Sequence, residues 1–269
     1  MTELLHRELT GKIIGVYYDV YNGLSRTYPE FIYENAMMRV LRQQGIRCTR
    51  QDEYAILYKG QPIGAQRLDI FVAEQVVVEI KVKPRLTRLH QAQTMSYLKT
   101  TGRQVGLLFN FGSSEPEFKR AYFEPLESQP APADLETEWP DLLFPELSYR
   151  VIGGLFEVHN ELGPGYIHRI YANACYRELQ QRGLEVKPHS DMTVFYRGKP
   201  VGQIKLGHLE VRGDVMAFPV AIRDDEQIEL ENLRRWMASQ GIRLGILANF
   251  RAERLAPKLM RVADCGSSG

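Results

Sequence analysis

The chain has 269 residues, of which 44% are hydrophobic and 25% charged, a composition that excludes disordered and fibrous proteins. Residues 1–125 hold 17 Lys and Arg against 13 Asp and Glu, residues 126–146 hold six acids, and the remainder holds 17 against 14, so two mildly basic halves permit contact with nucleic acid. Three scattered cysteines (Cys48, Cys175, Cys265), no membrane-length apolar run and no leader sequence predict a soluble cytoplasmic protein without disulfides or a zinc site.

Hydrophobic spacing and turn residues predict the elements of the first half in chain order. A first helix carries Ile13, Val16, Tyr17 and Val20 at helical spacing, and a second runs over residues 29–45. Alternating strands follow over residues 53–58, 64–72 and 75–82. Thr87 can cap a helix that ends near Gly102, and an apolar strand spans residues 105–111. The order of helix, three antiparallel strands, helix and strand predicts a mixed α/β fold.

An internal repeat sets the domain organisation. Residues 13–81 overlay residues 151–219 at a constant offset of 138, without a gap and with about 20 identities. After one inserted residue the match resumes, and Gly102 pairs with Gly241. The period is too long for a solenoid unit, so we interpret it as domain duplication.

The duplication predicts two domains and the segments around them. We expect a first domain over residues 1–124, a linker rich in proline and acids over residues 125–146, a second domain over residues 147–263 and a disordered tail over residues 264–269. We also expect the copies to pack as an internal pseudo-dimer, because duplicated domains often keep the contact of their ancestor.

A β-hairpin with its loop at residues 73–75 carries the candidate chemistry. The pairs across it would be Val72 with Val76, Phe71 with Val77, Ile70 with Val78, and Asp69 with Glu79. Two facing carboxylates repel each other, and a hard divalent cation such as Mg²⁺ or Mn²⁺ offsets that repulsion.

Lys81 lies on the same face of the strand as Glu79. There it could orient or help deprotonate a metal-bound water, as attack on a phosphodiester requires. The alternative is an exposed polar strand end on which Lys81 bridges two surface acids, since this spacing also arises by chance.

Further residues flank the hairpin. Glu30 begins the second helix, where the helix dipole favours an acid but where it could also bind the metal. On the later helix His90, Gln93 and Tyr97 share one face and could orient a phosphate or the attacking water, or could simply form a polar edge. Nearby cations could bind phosphates or only solvate the surface: Arg39, Arg42, Lys83, Arg85, Arg88, Lys99 and Arg103. We select His90, Arg85 and Arg88 as candidate substrate contacts.

Together these residues resemble the motifs of the GxxExxY proteins, a group within the PD-(D/E)XK nuclease superfamily. Residues 30–36 (Glu-Phe-Ile-Tyr-Glu-Asn-Ala) resemble its E-x-x-Y-E-x-A segment, Asp69 and residues 79–81 its D and E-x-K, and residues 93–97 its Q-x-x-x-Y. Residues 107–112 resemble the strand that closes the domain. One departure is Thr27, which replaces the glycine of the family pattern, whereas the second copy keeps Gly165.

The resemblance covers nearly all of the first copy. It implies two tandem restriction-endonuclease-like αβββαβ domains. It also implies that Glu30, Asp69, Glu79 and the Ile80 carbonyl approach the metal, that Lys81 assists the water, and that Gln93 and Tyr97 support the site.

The second copy lacks these residues. The offset of 138 pairs Glu30 with His168, Asp69 with Gly207, Glu79 with Ala217 and Lys81 with Pro219, and an offset of 139 pairs Gln93 with Asn232 and Tyr97 with Trp236. The spacing of His208, Glu210 and Asp214 does not reproduce the facing pair. We therefore expect a degenerate domain that keeps its fold and has lost the metal chemistry.

These observations lead to two functional hypotheses. The first is a Mg²⁺- or Mn²⁺-dependent nuclease that hydrolyses DNA in its first domain, while the second domain stabilises it or helps to bind substrate. The second is a non-catalytic nucleic-acid or protein interaction module that kept the nuclease fold. A small-molecule hydrolase is disfavoured, because the sequence has no G-x-S-x-G and no glycine-rich phosphate loop.

Overall fold

The computed structural model describes residues 5–124, 142–222 and 229–262. The chain divides into two compact units, Met1–Pro125 and Leu126–Gly269. The predicted linker over residues 125–146 lies outside the described residues as far as residue 141, and its last two residues already begin a helix at Pro145. The predicted tail over residues 264–269 lies wholly outside them. Among the described helices, none combines the length and apolar character needed to cross a bilayer.

The first unit contains three helices and seven strands within its described residues. In chain order they are α1 (Arg7–Gly23), α2 (Glu30–Gln43), β1 (Cys48–Arg50), β2 (Glu53–Tyr58), β3 (Gln61–Arg67), β4 (Ile70–Val72), β5 (Val76–Lys81), α3 (Arg88–Thr101), β6 (Val105–Asn110) and β7 (Glu117–Tyr122).

Five of these strands form a central sheet in the order β1-β4-β5-β6-β7. Only β5 and β6 run parallel, as the crossover through α3 requires. On one face Ile70, Val78 and Ile80 pack into the core with α1 and α2. On the other face Phe71 and Val77 pack against α3. The central strand β5 is therefore buried on both sides.

Three of the four predicted hairpin pairs are confirmed, and the fourth, Asp69 with Glu79, lies outside the ladder. Ile70 pairs with Val78, Phe71 with Val77 and Val72 with Val76. The turn places Ala73 and Glu74 at φ values of 50° and 56°, in the left-handed region that suits a tight hairpin.

The prediction of one strand over residues 64–72 is wrong for the first unit. The expected strand over residues 64–72 breaks at Leu68 and Asp69, and β2 and β3 form a separate two-stranded sheet. The break arises because both residues bond to the preceding loop: Leu68 N donates to the Asp52 carbonyl at 3.1 Å, and the Asp69 carbonyl accepts from Gln51 N at 3.2 Å. The edge strands β1 and β7, which the sequence did not predict, complete the central sheet.

The second unit repeats this plan. Its described elements are α4 (Pro145–Leu162), α5 (His168–Gln181), β8 (Val186–Tyr196), β9 (Lys199–Val211), β10 (Val215–Val220), α6 (Leu230–Ser239), β11 (Leu244–Asn249) and β12 (Lys258–Arg261). The sheet order β8-β9-β10-β11-β12 matches β1-β4-β5-β6-β7, and β10 and β11 are again the parallel pair. Here β8 and β9 are long and continuous and do not split into a separate hairpin.

Strand register corrects the sequence overlay of the two copies. Val211 pairs with Val215 in the second hairpin, as Val72 pairs with Val76 in the first, which is an offset of 139. The inserted residue therefore lies before the hairpin, at Gly207, and not after Lys81. Because the offset moves by one, the residues that replace Asp69, Glu79 and Lys81 are His208, Phe218 and Val220, and not Gly207, Ala217 and Pro219.

Candidate active site

Asp69, Glu79 and Lys81 meet at the end of the central hairpin. Asp69 lies just before β4, and its side chain continues the pairing: Oδ2 accepts a hydrogen bond from Ile80 N at 2.7 Å. Lys81 forms a buried ion pair and hydrogen bond with Glu79 Oε1. The alternative of an exposed polar strand end is wrong, since Glu79 is 0% exposed and Lys81 is 9% exposed.

The second carboxylate oxygen of Glu79 is the least satisfied atom of this group. Within the described part of the chain, Glu79 Oε2 is buried and receives no hydrogen bond from a donor. Its carboxylate lies beside that of Asp69, so the two groups must share a proton or a cation. A buried carboxylate oxygen without a donor is costly, and oxygen is the ligand atom that Mg²⁺ and Mn²⁺ prefer.

The pKa shifts of these residues reflect the same burial and the same repulsion between carboxylates. Burial raises the pKa of Glu79 well above its ordinary value, and the charge of Asp69 raises it further. Burial also raises the pKa of Asp69, against the lowering effect of the Ile80 N–H. For Lys81, burial lowers the pKa but the Glu79 carboxylate outweighs it, so the pKa rises and the ammonium stays charged. The cluster thus holds acids that ionise with difficulty beside one firmly charged cation.

Two more acids come from the start of α2. Glu30 is half-buried at the first helical residue, after Pro29, and its Oε1 accepts from Val82 N at 3.3 Å. Glu34, one turn later, is 4% exposed, and burial and the charge of Asp69 raise its pKa. Glu34 Oε2 accepts from Gln51 Nε2 at 3.3 Å.

Sequence reasoning did not select Glu34 as a site residue, although it lies inside the quoted motif. The available signal was its spacing of four residues from Glu30, which places both carboxylates on one face of the helix.

Gln93 and Tyr97 approach the cluster from α3. Gln93 Nε2 donates to the Tyr97 hydroxyl at 2.7 Å. Tyr97 is 6% exposed, and burial together with the charge of Glu79 raises its pKa, so it stays protonated. The pair is therefore positioned beside the acids as neutral polar groups.

The three predicted substrate contacts differ in position. His90 belongs to the cap of α3, where its Nδ1 accepts from Thr87 N at 3.1 Å and Thr87 Oγ1 accepts from His90 N at 3.4 Å. Burial and the charges of Lys81 and Lys83 lower the His90 pKa, against the raising effect of Glu30 and Glu117. Arg85 and Arg88 are exposed in and after the loop that follows β5, outside the acid cluster.

The loop after β5 is held by Asn110 at the end of β6. Asn110 Oδ1 accepts from Lys83 N at 3.0 Å, and its Nδ2 donates to the Lys83 carbonyl and to Glu117 Oε2, both at 2.9 Å. Asn249 makes the same two bonds to Ile222 in the second unit, at 3.2 and 3.0 Å. The clamp is thus part of the fold and positions the chain on which the site is built.

No three His, Cys, Asp or Glu side chains of the described residues already surround a common point as metal ligands. A cation must therefore draw the acids together and compete with Lys81 for Glu79. The oxygen donors and the unsatisfied Glu79 Oε2 fit a hard divalent ion.

The second unit has none of these acids at the equivalent positions. His168 replaces Glu30, Ala172 replaces Glu34, His208 replaces Asp69 and Phe218 replaces Glu79. The His208 ring packs edge-on against Trp236, the counterpart of Tyr97, with ring centroids 4.5 Å apart. Apolar and aromatic packing has replaced the acid cluster.

The two units also match as sequences. A model of the PD-(D/E)XK nuclease superfamily matches residues 7–121 and again residues 145–262. The chain belongs to the PD-(D/E)XK nuclease superfamily. No curated protein is similar enough in sequence to match the chain. The superfamily fold is thus present twice, and in its second copy the strand positions of Asp69, Glu79 and Lys81 carry no acid or lysine.

Proposed function

We propose that the first unit is a Mg²⁺- or Mn²⁺-dependent nuclease that hydrolyses phosphodiester bonds of DNA. The observation that supports this most directly is the fully buried Glu79 beside Asp69, whose Oε2 has no hydrogen-bond donor among the described residues. The motifs further suggest that the chain belongs to the GxxExxY group within the superfamily. In this proposal the second unit is a pseudo-nuclease that stabilises the protein or contributes to substrate binding.

Each residue of the cluster has a distinct part in the proposed reaction. Asp69, Glu79 and Glu30 would hold the metal, with the Ile80 carbonyl as a further ligand. When bound, the ion would neutralise phosphate charge and acidify a coordinated water. Lys81 would orient that water as a cation, since the neighbouring carboxylates favour its charged form.

Gln93 and Tyr97 would support the site through hydrogen bonds. The bond between them uses one hydrogen of the Gln93 side-chain amide. Its other hydrogen could bind a phosphate or a water, and the side-chain oxygen Oε1 could accept from a water. Glu34 would act through Gln51 and Arg50, which lies 3.9 Å from its carboxylate, and so position the end of β1. The exposed Arg85 and Arg88, with His90, would contact substrate phosphates.

Metal-dependent cleavage tests this function. Purified protein is incubated with single- and double-stranded DNA and with RNA, with Mn²⁺ or with a chelator. We expect cleavage of DNA with Mn²⁺, and its loss by at least about a hundredfold in Asp69→Asn and Lys81→Ala, since both residues contact the reacting groups. The matched control is Glu8→Gln, an exposed acid that pairs only with Lys12 in the described structure.

Calorimetric titration with Mn²⁺ separates the nuclease from a non-catalytic module. Binding that is lost in Asp69→Asn but kept in Glu8→Gln supports the enzyme. If no Mn²⁺ binds and no substrate is cut, the proposal is wrong and the interaction module is favoured.

A further inference from the structure

In the second unit, a cavity of about 730 Å³ is lined by His168, Ala172 and His208, the counterparts of Glu30, Glu34 and Asp69. Its walls come from the first turns of α5 and from β8 and β9. The apolar part of its lining comes from Ile167, Ala172, Tyr176, Pro188, Leu206 and Leu209. The polar residues His168, Asn173 and Ser190 also line it. Two exposed cations, Arg169 and Lys205, also line it. This volume is typical of a pocket for a small organic ligand.

His189 and His208 do not form a metal site in this cavity. His189 and His208 lie in parallel planes with ring centroids 5.2 Å apart, so their in-plane lone pairs cannot meet at one ion. His189 Nε2 lies 2.7 Å from Glu210 Oε2 and is already paired. Consistent with this, the described residues contain no cluster of three possible ligands.

His208 instead offers one buried hydrogen-bond acceptor. It is 0% exposed, and its Nδ1 lies 2.6 Å from the Leu206 carbonyl. A carbonyl can only accept, so Nδ1 carries the hydrogen and Nε2 presents a lone pair. Nε2 is buried and has no partner within the described residues. Burial lowers the pKa of His208 to about 4, which keeps the ring neutral near pH 7.

We propose that this cavity binds a single nucleobase, which stacks on the apolar walls and donates an N–H to His208 Nε2. The flanking phosphates would lie at Arg169 and Lys205. Every common base carries an exocyclic amino group or a ring N–H, whereas a bare phosphate cannot use the apolar walls. The inference rests on the proposed function, since it makes the second unit a substrate-binding partner of the nuclease.

Binding of mononucleotides tests the inference. The full chain is titrated calorimetrically with AMP, GMP, CMP and UMP in a chelating buffer, with ribose 5-phosphate as the probe that lacks a base. We expect one site per chain for at least one mononucleotide and no binding of ribose 5-phosphate. His208→Phe should weaken binding about tenfold, because the donor loses its hydrogen bond to Nε2. Lys199→Gln, exposed on the same strand but outside the cavity, is the matched control.

Ala172→Leu provides a second variant if His208→Phe does not fold, as checked by circular dichroism. Its larger side chain would occupy part of the cavity without changing the charge, and it should likewise weaken binding. The inference is overturned if no mononucleotide binds, if ribose 5-phosphate binds equally, or if neither variant in the cavity affects the affinity. Cleavage without nucleobase binding overturns only this inference, and nucleobase binding without cleavage overturns only the proposed nuclease.

Discussion

Lys81 and Glu79 form a buried ion pair in the first unit. Its side chains are 11% and 0% exposed, so neither charge can be solvated if the other is removed. Breaking such a pair is far more costly than replacing both members by neutral groups. Its stability effect and its proposed catalytic role can therefore be measured separately.

Lys81→Met in metal-free buffer should destabilise the first unit by roughly 3 to 5 kcal/mol, since it leaves Glu79 buried without its partner. Adding Glu79→Gln to Lys81→Met should recover much of that loss. Urea unfolding followed by circular dichroism measures both effects. Lys12→Met is the control, because its pair with Glu8 is exposed and should matter by less than about 1 kcal/mol. Equal costs for Lys81→Met and Lys12→Met would contradict the argument.

His208 should make the second unit sensitive to acid. Its pKa is about 4 in the folded chain, because of burial and despite the Leu206 carbonyl, and its ordinary value is 6.5. The unfolded chain binds the proton more readily, so His208 contributes stability above pH 6.5 that is lost as the pH falls towards 4. His189 and His168 lower this pKa further, and Asp191 raises it.

Between pH 7 and pH 4.5 the native protein should therefore lose up to about 3 kcal/mol more stability than His208→Phe, from a shift of about 2.5 units. Comparing the pH dependence removes the effect of the altered packing. Trp236 contacts the His208 ring, so its fluorescence in a Trp139→Phe background can follow this unit. Parallel stability curves for the two proteins would refute a role for His208.

At the level of elements, the sequence predicts a feature correctly where its hydrogen bonds join residues that lie close together along the chain. The predicted cap at Thr87 is observed, and Gly45 and Gly102 adopt the left-handed conformation expected at helix ends. The register of the hairpin also follows from alternation and from a short loop. These features depend on neighbours close in sequence.

Features that depend on distant partners were not predictable in this way. The strand break at Leu68 and Asp69 depends on bonds to residues 51 and 52, and no local pattern marks it. The three-residue β1 is too short to show alternation, and β7 lies at the edge of its sheet. The sequence overlay placed the inserted residue after Lys81 and not at Gly207, because apolar residues match apolar residues in either alignment. The acid Glu34 was overlooked because its nearness to Asp69 depends on the packing of α2.

The backbone after β5 passes very close to Gly112. A Cβ on this residue would lie 2.5 Å from Lys83 N and 2.8 Å from the Val82 carbonyl carbon, and both are backbone atoms that cannot rotate away. The same segment is clamped by Asn110. Substitution of Gly112 should therefore displace the end of the strand that carries Lys81.

Gly112→Ala should destabilise the first unit by roughly 1 to 3 kcal/mol through overpacking, and it should lower cleavage through the displaced Lys81. Gly11→Ala is the control, because no atom lies within 4 Å of its Cβ position in α1. It should leave activity unchanged and raise stability by about 0.5 to 1 kcal/mol. Thermal unfolding and the DNA cleavage assay measure the two effects. If Gly112→Ala behaves like Gly11→Ala, the close approach does not constrain the site.

On the scale of the whole molecule, the two units share packing contacts and hydrogen bonds of the fold but differ in the residues of their candidate sites. Tyr33 stacks on Phe111 with centroids 4.4 Å apart, and Tyr171 stacks on Phe250 at 4.7 Å. The Asn110 and Asn249 clamps are likewise equivalent. By contrast, the first unit holds a cluster of carboxylates where the second holds imidazoles and a cavity with apolar walls. The acid cluster and the cavity are thus suited to different ligands.

Hydrogen exchange should therefore show two separate responses in the full chain. We expect Mn²⁺ to slow exchange in peptides that cover the start of α2 and β5, and a bound mononucleotide to slow it in α5 and β9. Each ligand orders the backbone that carries its contacts, and opening of those segments then costs the binding free energy. Mass spectrometry of peptic fragments resolves the segments. Asp69→Asn should remove only the Mn²⁺ response, and His208→Phe only the nucleotide response. Slower exchange in the peptides of both units with Mn²⁺ alone would show that the second unit has kept metal chemistry.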